Sequence, residues 1–366
     1  MKLTKTICSA LTALLLTTAC SDKEPYRAGF AQLSAKYGYF YANTTADSLF
    51  VSSYGPWQIT ALSGTEWCQL DLMSGKGYAN YAIGVKATQN TTGYSRTAQF
   101  KIVDTDRPSE AYSEWIFLQT AVRGDGSMGN APAVDSIVGT DGSRITMTYD
   151  PLYRPLSLRM EKNGSLLRQL TIDYNDASNT MTVKGGNQDL TATYDNGYQG
   201  TVLKGQSESV GFYEQQYYNL TGGRSYAFNI EERHADGSYT VYAHLVGRMN
   251  AHPDSLHNAD SLRYGRLTAT NQKTLLRMKL SYSNQDNRRQ TVDANQLLLG
   301  VEECNPFMLL SMFRYARNSN IISRATCDNS ADNIDVSAEL NTDKSVKKLT
   351  VKQHGEERTY TFYYGS

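Results

Sequence analysis

Short segments in which apolar and polar residues alternate, separated by turn residues, recur along most of this chain. Ile145, Met147 and Tyr149, for example, alternate with polar residues before the turn at 150–155. Because successive side chains of a β-strand point to opposite faces, this period of two predicts strands with one buried face. The same pattern returns at 156–160, 170–174, 180–183, 190–194, 201–203, 267–270, 275–282, 348–353 and 359–364. The rhythm predicts an all-β chain.

Residues 135–366 follow a glycine-rich polar stretch, 123–134, that is predicted to be a linker. Their hairpins succeed one another in sequence order, which predicts an antiparallel β-meander that curls or closes to protect its edges. Asn305 is a good N-cap, Pro306 suits the first helical position, and an apolar run follows to about Ala316. We expect a barrel-like domain with one short buried helix. A helix that binds a membrane surface is the alternative.

Shorter strands and turns succeed one another within residues 33–122, including the turns at 53–56 and 74–77. Their spacing, without helical periodicity, predicts a β-sandwich. In so small a domain we expect the tryptophans to be core anchors and not exposed platforms for a ligand. Two residues separate Tyr112 from Trp115, so their rings would point to opposite faces of a strand.

The amino-terminal segment has the order of a secretory leader. Two lysines precede an apolar run at 7–16, and the small residues Thr17–Ala19 precede Cys20. The run is too short to span a bilayer, which takes about 20 residues. The segment resembles a lipobox, and this resemblance implies a signal peptide of residues 1–19, a lipid on the Cys20 thiol and a tether of residues 20–32. An ordinary leader cut nearby is the alternative.

The sandwich region carries the residue order of a known domain family. The matching positions are Gly55-Pro56, Trp57, Trp67, Ser74-Gly75, Arg96–Ile102 and Phe117–Gln119. In this order the region resembles the BACON domain, a name that stands for Bacteroidetes-associated carbohydrate-binding, often N-terminal. The resemblance implies an immunoglobulin-like sandwich that binds glycans or acts as a spacer.

A second resemblance covers most of residues 135–366. The hairpins with Tyr-Asp turns, the segment 293–298 and the capped helix resemble uncharacterised Bacteroidetes lipoprotein domains described as porin-like. This resemblance implies an antiparallel, barrel-like meander and no known activity. The short segment 21–24 resembles an acidic export signal of some Bacteroidetes lipoproteins, which implies the outer face of the outer membrane.

Three cysteines, Cys68, Cys304 and Cys327, lie beyond the leader and its cleavage point. No pair has the CxxC spacing of a zinc site. Cys304 and Cys327 can form one disulfide in an oxidising compartment, and two buried free thiols are the equally ordinary alternative. Cys68, directly after Trp67 in a strand-like stretch, is expected in the core.

Asp-Ser followed by an aliphatic residue occurs four times and resembles the acceptor for O-glycosylation in exported Bacteroidetes proteins. The serines concerned are Ser48, Ser136, Ser255 and Ser261. Ser255 and Ser261 are favoured, because the surrounding residues are predicted to form a polar loop. Glycans there would protect an exposed segment.

Sequence motifs of catalysis are missing. The chain has no GxSxG elbow, no HExxH and no glycine-rich phosphate loop of the form GxxxxGK[ST]. His252 and His257 lack a third nearby metal ligand, and adjacent carboxylates such as Glu302-Glu303 diverge too much to act as a glycosidase pair. Lys+Arg and Asp+Glu balance at 36 each, so no net charge attracts nucleic acid.

These features together predict a non-catalytic outer-membrane lipoprotein that is lipid-anchored through Cys20. Exposure at the cell surface and a position facing the periplasm are the two alternatives for its orientation. We expect no cofactor, no metal and no nucleic-acid partner, and we expect glycans or an envelope protein as the partner. A structural or partner-binding accessory lipoprotein without sugar affinity is the alternative, and an unrecognised hydrolase is a less favoured one.

Overall fold

The computed structural model describes residues 31–33, 37–106, 112–178, 180–185, 190–194, 203–206, 210–218, 223–233, 239–250, 258–267, 273–301 and 317–365. These residues form strands joined by turns, with two short 3-10 helices, which confirms the predicted all-β fold. Their contacts define two compact units. One includes Ala46–Ala87 and Ala98–Ile116, and the other consists of Gly38–Thr45, Thr88–Thr97 and Phe117–Ser366.

The first nine strands form the two sheets of the predicted β-sandwich. Their bounds are β1 Ala31–Leu33, β2 Tyr37–Phe40, β3 Ala46–Ser53, β4 Trp57–Ser63, β5 Cys68–Leu70, β6 Ser74–Gly75, β7 Ala79–Ala87, β8 Arg96–Asp104 and β9 Tyr112–Gln119. One sheet has the strand order β1-β3-β7-β5 and the other the order β2-β9-β8-β4-β6. The pairs β3–β7 and β4–β8 are antiparallel.

The core of the sandwich follows the period of two along each strand. In β8, Ala98, Phe100 and Ile102 are buried while the residues between them are at least partly exposed. All three tryptophans, Trp57, Trp67 and Trp115, are at most 3% exposed, which confirms that they anchor the core. Cys68 is fully buried as well, as predicted.

The remaining sixteen strands form an antiparallel meander that closes into a barrel. Each strand pairs with its neighbour in sequence, and the last pairs with the first, with Ile137 opposite Phe362. The bounds are β10 Val134–Gly139, β11 Ser143–Tyr149, β12 Pro155–Lys162, β13 Ser165–Asn175, β14 Thr180–Lys184, β15 Leu190–Tyr194, β16 Leu203–Gln206, β17 Val210–Tyr218, β18 Gly223–Arg233, β19 Tyr239–Asn250, β20 Ala259–Leu267, β21 Lys273–Asp286, β22 Asn320–Cys327, β23 Ile334–Leu340, β24 Val346–Gln353 and β25 Glu356–Tyr364.

One continuous apolar cluster joins β10–β14 to β21–β25. Alternate residues of these strands, such as Leu158 and Leu349, belong to it. A 3-10 helix at Ala294–Leu299, capped by the Asp293 side chain, contributes Leu297 and Leu298 to the same cluster. A buried helical segment therefore fills part of the space between the strands.

The helix predicted from Asn305 to Ala316 lies outside the described residues. A second 3-10 helix, Ser330–Asp332, is capped by the Asn329 side chain and has no buried residue. None of the helices in the described part of the chain has the length and apolar character needed to cross a membrane.

Candidate functional site

Three turns of the sandwich, 53–56, 74–78 and 104–106, lie against one another. Gly77 has a left-handed φ of 87°, and an added Cβ there would overlap the carbonyl carbon of Gly55. The backbone N–H of Thr105 donates to the Pro56 carbonyl oxygen at 3.0 Å. Because the backbones themselves are in contact, the three turns form one surface, called here the turn surface.

Two tyrosines are exposed on the turn surface. Tyr54 is 49% exposed and Tyr78 is 75% exposed. Tyr78 also has a φ of 51°, a left-handed conformation that costs a residue with a Cβ about 1–2 kcal/mol. The side chains of Lys76 and Asp106 are exposed on the same turns. Aromatic rings, an ammonium and a carboxylate are therefore available to a ligand here.

These groups suit binding of a neutral polar ligand. The face of a tyrosine ring packs against apolar C–H groups while its hydroxyl stays in water, and a carboxylate or an ammonium bonds hydroxyl groups. The turns 53–56, 74–78 and 104–106 contain no histidine or cysteine that would act as a base or nucleophile. Sequence reasoning missed this surface, because only the fold brings the three turns together.

The stretch predicted as a linker is folded where it begins. Ala121, Val122, Met128 and Ala131 form a small buried apolar cluster. The backbone N–H of Met128 donates to the carbonyl oxygen of Arg288 at 2.8 Å. The glycine and polar residues of this segment thus form turns and buried contacts. A flexible linker can have the same composition, so composition alone does not separate the two.

Arg123, in this same segment, is 1% exposed. Its Nη2 atom donates to the Gly129 carbonyl oxygen at 2.7 Å, and both Nη atoms lie 3.2 Å from the Ala131 carbonyl oxygen. The guanidinium carbon stands 3.8 Å from the centroid of the Tyr153 ring. Burial lowers the pKa of Arg123, and the nearby Asp125 carboxylate opposes that shift.

Arg317, a second buried arginine, ties down the loop that leads into the 3-10 helix. It is 2% exposed, and its Nη atoms donate to the carbonyl oxygens of Gln290, at 2.7 Å, and Thr291. The fully buried Asp293 accepts at Oδ1 from Asn287 Nδ2 at 2.6 Å and from the Asn295 N–H at 3.0 Å. Burial raises the pKa of Asp293, and the positive charge of Arg317 opposes the shift.

The role of the two arginines is to stabilise the fold. Each directs its Nη groups to main-chain carbonyl oxygens of buried loops, where water cannot replace the donors. No periodic pattern in the sequence marks either residue for burial, and sequence reasoning missed both.

The candidate acceptor serines occupy different environments. Ser48 is exposed in β3, and its N–H donates to Asp47 Oδ1 at 2.7 Å. Ser136 is half-buried in β10, opposite Thr146 and Tyr363. Ser255 lies outside the described residues, as do Cys20 and the histidines at 252 and 257.

Placing Ser261 in a polar loop is wrong. The structure puts it in β20, opposite Leu245 and Lys279, with its side chain half-buried. The following Leu262 packs against the apolar cluster of the barrel, which draws this stretch into the sheet. Five strands, β21 to β25, separate β20 from β10 in the shorter direction, so Ser136 and Ser261 form no common site.

The disulfide between Cys304 and Cys327 stays a prediction, because Cys304 lies outside the described residues. Cys327 is buried at the end of β22, and its Sγ donates to the Asp332 carbonyl oxygen at 3.1 Å. Burial raises the pKa of the Cys327 thiol, and Asp332 raises it further. Within the residues that the structure describes, no group of three or more His, Cys, Asp or Glu side chains is placed to hold a metal ion.

A row of alternating charges crosses four barrel strands, β22 to β25. The register places Arg324, Asp335, Lys352 and Glu357 side by side, and all four are exposed. Arg324 and Asp335 form an ion pair of 2.9 Å, as do Lys352 and Glu357. This face of the sheet is suited to contact with water.

No protein-family model matches the chain, and no curated protein matches it. Among solved structures, a porin-like protein from Bacteroides uniformis is 13% identical, with a TM-score of 0.39, over 64% of this chain and 99% of its own. A Porphyromonas gingivalis protein of unknown function is 13% identical, with a TM-score of 0.22, over 56% of this chain and 92% of its own.

A third similar structure is a GH5 xyloglucanase from Bacteroides ovatus in complex with a XXXG heptasaccharide. It is 16% identical, with a TM-score of 0.22, over 28% of this chain. The match spans 21% of the xyloglucanase.

Proposed function

We propose that this chain is a non-catalytic lipoprotein of the bacterial outer membrane that is anchored by a lipid on Cys20. Its sandwich either binds glycans or acts as a spacer between the membrane and the barrel. The order of charged, apolar and small residues before Cys20 carries the proposal, because a secretory leader has that order and the residues that end at Cys20 resemble a lipobox. No residue of this leader is among the described ones, so the support comes from the sequence.

The charged row on β22–β25 supports attachment through a lipid. A strand that faces the hydrocarbon of a bilayer carries apolar side chains outward. The exposed row Arg324–Asp335–Lys352–Glu357 carries charge instead. Such a charged row favours contact with water over contact with lipid tails, and in this proposal a covalent lipid supplies the attachment to the membrane.

The turn surface supports the glycan-binding role over the spacer role. A spacer needs no exposed aromatic rings, whereas Tyr54 and Tyr78 are exposed on adjoining turns. The tryptophans are buried, so they are not the groups that would meet a sugar. A partner-binding accessory role without sugar affinity is the alternative.

The anchor is tested with a Cys20→Ala variant in cells that are fed radiolabelled palmitate. We expect label on the unchanged chain and none on the variant. Cys8→Ala is the matched control, because it removes a leader thiol and leaves the acceptor, and it should keep the label. Equal labelling of the Cys20→Ala variant, or no label on the unchanged chain, would refute the anchor.

A further inference from the structure

We propose that the turn surface is the glycan-binding site of this chain and that it takes a neutral polysaccharide. Pyranose rings would stack on Tyr54 and Tyr78, and Lys76 and Asp106 would bond their hydroxyl groups. This inference rests on the proposed glycan-binding role and adds to it a location and a ligand class.

Tyr78 is the strongest indicator of a ligand. Three quarters of this residue is exposed, so the ring adds little to the apolar core. Its backbone nevertheless has a φ of 51°, which glycine would adopt without strain. Residues in such sparsely populated backbone conformations cluster at active sites and ligand contacts.

The turns beneath the tyrosines are held rigidly. The N–H of Lys76 donates to the Tyr81 hydroxyl at 3.1 Å, and the Tyr81 ring packs edge-on against Trp57 with centroids 5.2 Å apart. Gly75 lies so close to the indole that an added Cβ would be 2.5 Å from Trp57 Nε1. A surface fixed in this way loses little conformational entropy when a ligand binds.

The charges of the turn surface favour a neutral ligand. Lys76 and Asp106 are its exposed charged side chains, one of each sign. A third charge, Asp104, is 2% exposed and accepts from the Asp106 N–H at 2.8 Å. The surface thus has no positive excess to attract sulfated or sialylated chains.

The experiment is native affinity electrophoresis of the mature chain in gels that contain xyloglucan, galactomannan or glucomannan, with acidic gastric mucin as the charged comparison. We expect at least one neutral polysaccharide to retard the unchanged chain. Tyr54→Ala and Tyr78→Ala should each weaken that binding about tenfold, a change of about 1.4 kcal/mol. Tyr94→Ala is the matched control, since Tyr94 is 80% exposed on a different turn.

Tyr78→Gly separates binding from folding. Glycine relieves the left-handed strain, so this variant should be at least as stable as the unchanged chain and still lose binding. If the chain binds a neutral polysaccharide and both Tyr78 variants bind it as tightly as the unchanged chain, the proposed location of the site is refuted. The proposed glycan-binding function then stands. If the chain binds none of the probes, the glycan-binding role fails together with the site. Preference for mucin would overturn the neutral ligand class.

Discussion

Replacing Arg317 by alanine should destabilise the second unit strongly, although the residue lies at no candidate binding surface. Its Nη atoms donate to the buried carbonyl oxygens of Gln290 and Thr291. Its side chain also packs beside Gly126, where an added Cβ would lie 3.2 Å from Arg317 Cβ. The alanine variant leaves both oxygens without these donors and leaves Asp293 without its nearby positive charge.

The magnitude follows from these contacts. Each of the two buried carbonyl oxygens left without a donor costs about 1–3 kcal/mol. Together with the lost packing of the side chain, we expect the free energy of unfolding to fall by about 3–5 kcal/mol. With a urea slope of about 3 kcal/mol/M, the unfolding midpoint should drop by about 1–1.7 M.

Circular dichroism in the far ultraviolet is the suitable assay. Tryptophan fluorescence would report on the sandwich, since all three tryptophans lie in its strands and turns. Arg324→Ala is the matched control, because its ion pair with Asp335 is exposed and should contribute at most about 1 kcal/mol. Arg317→Lys should be intermediate, since an ammonium keeps the charge and loses the planar fork. A midpoint for Arg317→Ala equal to that of Arg324→Ala would refute the reasoning.

Two further predictions concern buried residues. Burial raises the pKa of Asp293, so its proton favours the folded state below the unfolded pKa of about 3.9, and this contribution is lost as the pH rises through the folded pKa. Asp293→Asn cannot titrate and should gain stability relative to the unchanged chain as the pH rises above the unfolded pKa of about 3.9, measured as urea midpoints; a constant difference would contradict this. Trp57→Ala should cost the sandwich about 3–5 kcal/mol, measured as a fall in the thermal midpoint, because Trp57 is 1% exposed; a loss below about 1 kcal/mol would show that the core tolerates the cavity.

The strands were predictable because their signal is local. The alternation of Ile145, Met147 and Tyr149 lies within one strand and reflects which side chains meet the core. The sequence predicted only that the meander curls or closes, because it does not show which strands pair with each other. The pairing of Ile137 with Phe362 joins residues from opposite ends of the domain.

The candidate site could not be predicted from the sequence for the same reason. Tyr54 and Tyr78 carry no pattern that separates them from the rest of the chain's 26 tyrosines. The contact between Gly55 and Gly77 brings their turns together, and the sequence indicates only that each turn exists. Ser261 was misplaced because its strand pairing depends on partners in β19 and β21.

Local chemistry in the sequence determined the strand content, the burial of the tryptophans and the order of the leader, because each depends on residues a few positions apart. Tertiary structure decided that Arg123 and Arg317 are buried, that the barrel closes and that three turns share one surface. Those features depend on contacts between residues that are distant in the chain, and the energy of such contacts exists only once the fold has formed.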